Sequence, residues 1–388
     1  MKTRIDNARI ITPDQILKNH SLILEDGFIK GIVPPSTLIK VQKVIDAKGA
    51  YLAPGLFDIH QHGNNSHDVM DASPEALESI AAYNLQNGVT SFLATVMTAS
   101  DESMRKAIEN AVVFADHQTL EDALSTMEGI YLEGPFFNEA KRGAQPKLDL
   151  RFPDRALLKD YLELSEGRIK VMSLAPELNN SEDVMNLIME RQIVGAIGHT
   201  DATYDETLEV IDQGFTLATH MFNGMRGFSH REPGALGAIL HDERVYGELI
   251  VDNVHLHPVA VDLALRTKST EKTVLISDAM RAAGLEDGTY DLAGQTVNVE
   301  HGKATLPGGT LAGSTLDLLT AVRTMIDGHS VPVHEAFNMA SLNPAKALNM
   351  DKTIGSIEAG KRADFLLLGE KFNIKSVYKS GMEVHRKA

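Results

Sequence analysis

The chain contains no cysteine in 388 residues, which excludes a disulfide framework and thiolate metal ligation. Any metal must therefore be held by His, Asp or Glu. No stretch reaches the roughly 18 consecutive apolar residues of a membrane helix. Met1 to Asp6 puts an acid where a signal peptide needs its apolar run, so the expected location is cytoplasmic. Positive charge is also scarce. With 37 Lys and Arg against 53 Asp and Glu, the formal net charge of −16 argues against binding to nucleic acid or an anionic membrane. An anionic substrate then requires a local basic pocket.

What remains is ordinary globular composition, with 43% hydrophobic and 23% charged residues. A (β/α)8 barrel uses about 250 residues, so this length fits a barrel plus a small companion. From Met1 to about Ala53, short aliphatic segments such as Arg9-Ile10-Ile11 and Leu22-Ile23-Leu24 alternate with turn signals, and Gly355 to Val384 has the same texture. We expect residues 1–53 and 350–388 to pair into a small β-sandwich, and residues 54–349 to form the barrel.

Within 54–349, apolar strand-like runs alternate with amphipathic helix-like segments, the pattern of a parallel α/β fold. The expected strands are Gly55 to Ile59, Val89 to Val96, Gly129 to Leu132, Ile169 to Leu174, Val194 to Ile197, Thr216 to Thr219, Tyr246 to Val251 and Thr273 to Ser277. Expected helices include Pro74 to Asn87 after a Ser73 cap, Glu102 to Phe114 after Asp101, and Ser314 to Ile326.

The residues that follow these strands are the informative ones: His60 and His62, Thr98, Glu133, Glu177, His199, His220, His255 and Asp278. A barrel gathers its strand ends at one mouth, so these side chains converge there. His60-Gln61-His62 alternates both imidazoles to one side of an extended segment. Alone, such a pair reads first as two solvent-facing histidines before a Gly-rich loop. Glu133 precedes Gly134-Pro135; it is either a turn residue or a carboxylate with an oxygen for each of two ions. With His199 and His220 it makes an N/O set suited to Zn²⁺, Fe²⁺ or Mn²⁺. Asp278 is a helix cap in isolation, but beside a metal-activated water it is the natural proton acceptor.

Taken together, Pro54-Gly55-Leu56-Phe57-Asp58-Ile59-His60-Gln61-His62-Gly63, Leu132-Glu133-Gly134-Pro135-Phe136, Ile197-Gly198-His199-Thr200, Thr219-His220-Met221-Phe222-Asn223-Gly224-Met225, His230-Arg231-Glu232-Pro233-Gly234 and Ser277-Asp278-Ala279-Met280 resemble the N-acetylglucosamine-6-phosphate deacetylase family of the amidohydrolase superfamily. The resemblance runs the whole chain and includes Thr310-Leu311-Ala312-Gly313-Ser314 and the tail Gly355 to Asp364. It implies a (β/α)8 TIM-like amidohydrolase barrel beside a β domain, and hydrolysis of the acetamido group of an amino-sugar 6-phosphate, with glucosamine and galactosamine both open.

Matched residue by residue, the resemblance puts Glu133, His199 and His220 on metal ligands, and His60 and His62 on the pair kept by members that look binuclear. The resemblance implies one or two divalent ions per chain. Asp278 falls on the catalytic acid/base and is counted among the metal ligands as well. Asn223, Gly224, Arg231, His255 and Leu311, Ala312 and Gly313 fall on substrate-contacting positions. Arg231 is expected to reach a neighbour's phosphate across a homodimer interface.

One position departs from the family: where members commonly carry a His near the acetyl carbonyl, this chain has Gln145, whose amide donates a hydrogen bond but carries no charge. Three rivals stand beside this reading. One is another amidohydrolase, although many of those bridge their metals with a carboxylated lysine where this chain offers Glu133. The others are a metal-free scaffold of the same fold and a non-catalytic phosphosugar-binding module.

Overall fold

The computed structural model describes residues 1–387. Its centre is eight parallel strands, Leu56–Asp58, Val89–Met97, Thr126–Glu133, Ile169–Leu174, Val194–Ile197, Leu217–Ala218, Tyr246–Leu249 and Thr273–Leu275, each paired with the next in sequence order. The ring closes just beyond the first and last strands, where the Asp278 N–H donates to the His60 carbonyl at 2.9 Å. Val89–Met97 is buried at every position, as expected of a parallel strand with side chains filling the barrel on one face and helices covering the other. Each wholly buried Leu, Ile or Phe in such a core contributes about 1.5–3 kcal/mol.

The helices begin where the local sequence satisfies their first N–H groups. Ser73 accepts from the Ala76 N–H ahead of Pro74–Gln86, and Thr203 and Glu206 form a reciprocal box ahead of Tyr204–Asp212. Two starts differ from expectation. Asp101–His117 is capped by Ser100, and the helix expected from Ser314 is Leu318–His329, capped by Asp317. Ser314 is held out of that helix by the barrel. Its N–H donates to the Asp278 carbonyl at 2.7 Å and its hydroxyl to the Ser277 carbonyl at 2.5 Å, so it pairs beside the residues that follow the last strand.

The chain ends share one eight-stranded sheet built from Lys2–Ile11, Ile16–Glu25, Phe28–Val33, Lys43–Asp46, Tyr51–Pro54, Phe365–Leu368, Ile374–Lys379 and Met382–Arg386. The seam is antiparallel, with Tyr51 opposite Leu368 and Pro54 opposite Phe365. Hydrogen bonding is continuous through this sheet, so the expected sandwich is a single sheet folded over its own core of Ile5, Leu22, Leu24, Ile29, Phe365 and Tyr378. Phe28 bridges to Arg362, and the Ile29 N–H donates to the Lys361 carbonyl, where the fold closes. Ala388, the end of the expected small domain, lies outside the described residues.

A three-stranded antiparallel sheet, Gly288–Leu292, Gln295–Glu300 and Lys303–Thr305, was not expected. Its two tight turns, Ala293-Gly294 and His301-Gly302, have positive φ at both residues, the twist that suits two-residue hairpins. It packs on Met97 and Met280 and holds the following loop over the barrel mouth, with Thr305 bridged to Leu311. Among the described residues, no helix is long and apolar enough to cross a membrane.

Candidate metal centre and substrate cavity

Each candidate ligand stands at or just past the C-terminal end of a barrel strand. His199, His220 and Asp278 occupy left-handed backbone, with φ of 48°, 27° and 48°. For a residue with a Cβ this costs about 1–3 kcal/mol, a strain that accumulates at functional sites. Gly134 and Gly198 allow the strand ends to crowd together. A Cβ at Gly134 falls 2.1 Å from Thr98 Oγ1, and one at Gly198 falls 2.6 Å from the Thr219 Cβ.

The result is two sets sharing one carboxylate, His60, His62 and Glu133 on one side and Glu133, His199 and His220 on the other, all buried. Glu133 Oε1 lies 3.1 Å from His199 Nε2, 3.3 Å from His220 Nε2 and 3.6 Å from His60 Nε2. Its Oε2 lies 3.5 Å from His62 Nε2. Asp278 Oδ1 sits 3.1 Å from His62 Nε2 and 3.7 Å from His60 Nε2. Ligand atoms about 2.0–2.1 Å from one ion in tetrahedral arrangement stand about 3.4 Å apart. The spacings here match that.

Electrostatics point the same way. Burial alone opposes every charge in this cluster, yet Glu248 and Glu133 hold the His60 pKa well above its ordinary value. Burial likewise raises Glu133, but it is outweighed by His60, His199 and His220, which hold that carboxyl well below its usual range. Asp278 is brought to about 2, because the close approach of His62 and the charges of His60, His62 and His220 overcome its burial. Positive charge is what the acids require. His60 Nε2 and Asp278 Oδ1 are buried without a hydrogen-bond partner, and both belong to this cluster. A buried polar atom so left costs about 1–3 kcal/mol, which a bound cation relieves. The donor set therefore fits divalent metal.

Above the cluster opens a cavity of about 320 Å³. Asn223, Gly224, His255, Leu311 and Gly313 line it, as does Gln145. His255 Nδ1 donates to Asp252 at 2.7 Å, which leaves Nε2 available. Ala312 is not among the lining residues. Its side chain is buried with Leu292, Val297 and Val299 in the core of the three-stranded sheet. Arg231 is exposed, does not line the cavity, and makes no hydrogen bond or ion pair among the described residues. Glu232, its sequence neighbour, accepts instead from the Tyr204 and Gly234 N–H groups.

Gln145 has both ends of its amide in use. Oε1 accepts from the Thr98 N–H at 3.1 Å, and Nε2 donates to Glu133 Oε2 at 2.8 Å. The backbone donor settles the amide's orientation. Glu177, which had a place at the mouth but no role, joins three loops by accepting from Asn138, the Thr200 hydroxyl and the Asp201 N–H. His257 caps Pro258–Lys268. Sequence reasoning missed Glu248. Its signal was an acid inside the apolar run Tyr246-Gly247-Glu248-Leu249-Ile250-Val251, on a strand buried from both sides.

Residues 51–384 match the Amidohydrolase family, and residues 5–52 match the NagA composite domain. The chain is 35% identical over 373 residues to the N-acetylgalactosamine-6-phosphate deacetylase of Escherichia coli O157:H7, covering 96% of this chain and 97% of that protein. It is also 35% identical over 365 residues to the N-acetylglucosamine-6-phosphate deacetylase of Bacillus subtilis strain 168, covering 94% and 92%. The fold matches a variant of the Mycobacterium smegmatis N-acetyl-D-glucosamine-6-phosphate deacetylase, solved in complex with N-acetyl-D-glucosamine 6-phosphate. The TM-score is 0.91 at 28% identity, over 99% of both chains.

Proposed function

The chain belongs to the amidohydrolase family, and on that footing we propose that it hydrolyses the acetamido C–N bond of N-acetyl-D-glucosamine 6-phosphate, yielding acetate and D-glucosamine 6-phosphate. One observation carries the reading. Glu133 is shared by two ion-holding sets at a barrel mouth, and Asp278 stands among their ligands at the base of a sugar-sized cavity. A divalent ion held by these residues would supply polarisation of the amide carbonyl and a water whose pKa is lowered toward about 7.

The chain's own residues do the rest. Asp278, ionised at neutral pH, accepts a proton from the attacking water and returns it to the departing amine nitrogen. His60, His62, Glu133, His199 and His220 hold up to two ions, for which Zn²⁺, Fe²⁺ and Mn²⁺ all suit the N/O ligands. Asn223, His255 and the backbone at Gly224, Leu311 and Gly313 orient the sugar. Gln145 steadies Glu133 beside the acetyl group.

No Lys or Arg lines the cavity, so a phosphate placed there needs its counter-charge from elsewhere. The unpartnered Arg231 supplies it across a homodimer, where the planar guanidinium of a second copy meets the phosphate oxygens. The galactosamine epimer is the second reading, because identity to relatives acting on either sugar is the same.

Acetate release from both 6-phosphates and both unphosphorylated sugars, with elemental analysis on the same sample, tests all of this. The expected result is turnover of a 6-phosphate, abolished by a chelator and restored by added metal. Equal turnover with and without phosphate refutes the substrate class, and a reversed epimer preference transfers the assignment to galactosamine.

A further inference from the structure

Glu248 is wholly buried near the end of the seventh barrel strand, yet it lines no part of the cavity and belongs to neither ion-holding set. An isolated carboxylate in that position is costly, so its partners define it. Oε2 lies 3.0 Å from His60 Nδ1 and accepts from the His220 N–H at 3.0 Å. Its own backbone carbonyl accepts from the Met221 N–H at 2.8 Å. The carboxylate thus reaches one member of each set: the side chain of His60 and the main chain at His220.

We propose that Glu248 is the positioning residue for the ion at His60 and His62, which rests on the two-ion reading above. A carboxylate only accepts hydrogen bonds, so the proton between the two groups sits on His60 Nδ1. That leaves the lone pair on Nε2, the buried and unpartnered nitrogen 3.6 Å from Glu133 Oε1 and 3.7 Å from Asp278 Oδ1. Glu248 fixes both the tautomer and the ring plane that aim this nitrogen at the centre. The ring also packs against the Tyr131 ring at 4.5 Å between centroids, a contact that supplies no hydrogen bond to Nδ1. By contrast, His199 and His220 are held at Nδ1 by backbone carbonyls, those of Lys141 and Asn223. His60 is the ligand whose orientation depends on a charged side chain.

The test is Glu248→Gln, with His60→Gln and the double variant, each titrated with Zn²⁺ and followed by ions bound per chain. Losing such an orienting partner lowers metal affinity about 10–100-fold. The expected result is that Glu248→Gln weakens one ion by that factor and leaves the other at the parent's affinity. His60→Gln should abolish the same ion, and Glu248→Gln should add nothing in that background.

A merely structural lesion weakens both ions together and lowers the melting temperature at saturating Zn²⁺ in either background. That result, or two ions bound at parental affinity, overturns the proposal. A parent protein that holds one ion at every Zn²⁺ concentration defeats the two-ion reading itself, before any variant is compared. Glu248→Leu, which removes the acceptor altogether, should weaken the same ion more than Gln does, and an equal or smaller effect counts against the role.

Discussion

Replacing Arg231 with Met should leave folding unchanged and cripple turnover of the phosphorylated sugar. The guanidinium is exposed and has no partner among the described residues, so its removal breaks no contact there, and stability should change by less than about 0.5 kcal/mol. In the complex the arithmetic differs. Among the described residues no Lys or Arg lines the cavity to take over the phosphate, so the full charged hydrogen bond is lost, about 1.5–3 kcal/mol. At about 1.4 kcal/mol per decade, kcat/KM should fall about 10- to 150-fold toward the 6-phosphate and little toward the free sugar.

Because the guanidinium is proposed to act in the partner's site, complementation gives a second test. Neither Arg231→Met nor Asp278→Asn homodimers have a complete site, but a hybrid of the two has one. Random reassembly of an equal mixture should restore roughly a quarter of the sites. Steady-state kinetics on both sugars, before and after mixing, decide the matter. Equal loss on both sugars refutes the phosphate contact, and no recovery on mixing refutes its delivery in trans.

Asp278→Asn alone should retain bound metal while kcat falls about 10²–10⁴-fold, and a smaller loss in steady-state assays would make Asp278 a structural residue. Gly134→Ala forces a Cβ to 2.1 Å from Thr98 Oγ1 and 2.9 Å from the Phe137 ring at a φ of +100°. Such overpacking should cost about 1–3 kcal/mol in urea melts and displace the adjacent Glu133, with kcat falling in parallel. Lys268→Met addresses a buried ammonium whose burial lowers its pKa from 10.5 to about 8. The unfolded chain holds this proton more tightly, so the parent carries the full penalty below pH 8 and sheds it as pH rises toward 10.5. The variant should therefore gain at most about 3 kcal/mol below pH 8, fading above it, and a pH-independent gain excludes this cause.

Local pattern was enough to place most of the barrel and to bring the candidate ligands together at its mouth. Apolar runs such as Val89 to Val96 and Ile169 to Leu174 announce buried strands, and the residues just past them converge because a parallel barrel aligns all its strand ends at one mouth. That is why His60, Glu133, His199, His220 and Asp278 could be grouped although they span the chain. The three-stranded sheet has a local signature too, in the Ala293-Gly294 and His301-Gly302 turns between alternating segments.

Tertiary structure alone decided how these residues are held. The bond from His60 to Glu248 joins positions 188 apart, and no periodicity encodes which buried acid meets which imidazole across a barrel. Gln145 depends in the same way on Thr98 and Glu133 meeting around it, which turns an apparent substitution of a substrate contact into a clamp on the shared ligand. Ala312 faces a core because the sheet before it curls beneath the loop. Arg231 has no partner among the described residues because the loop from 227 to 231 is exposed, while Glu232 accepts from backbone N–H groups. Period, caps and turns are properties of neighbours in sequence. Which polar groups satisfy each other in a buried site depends on strand register and loop path, and these exist only once the chain has closed on itself.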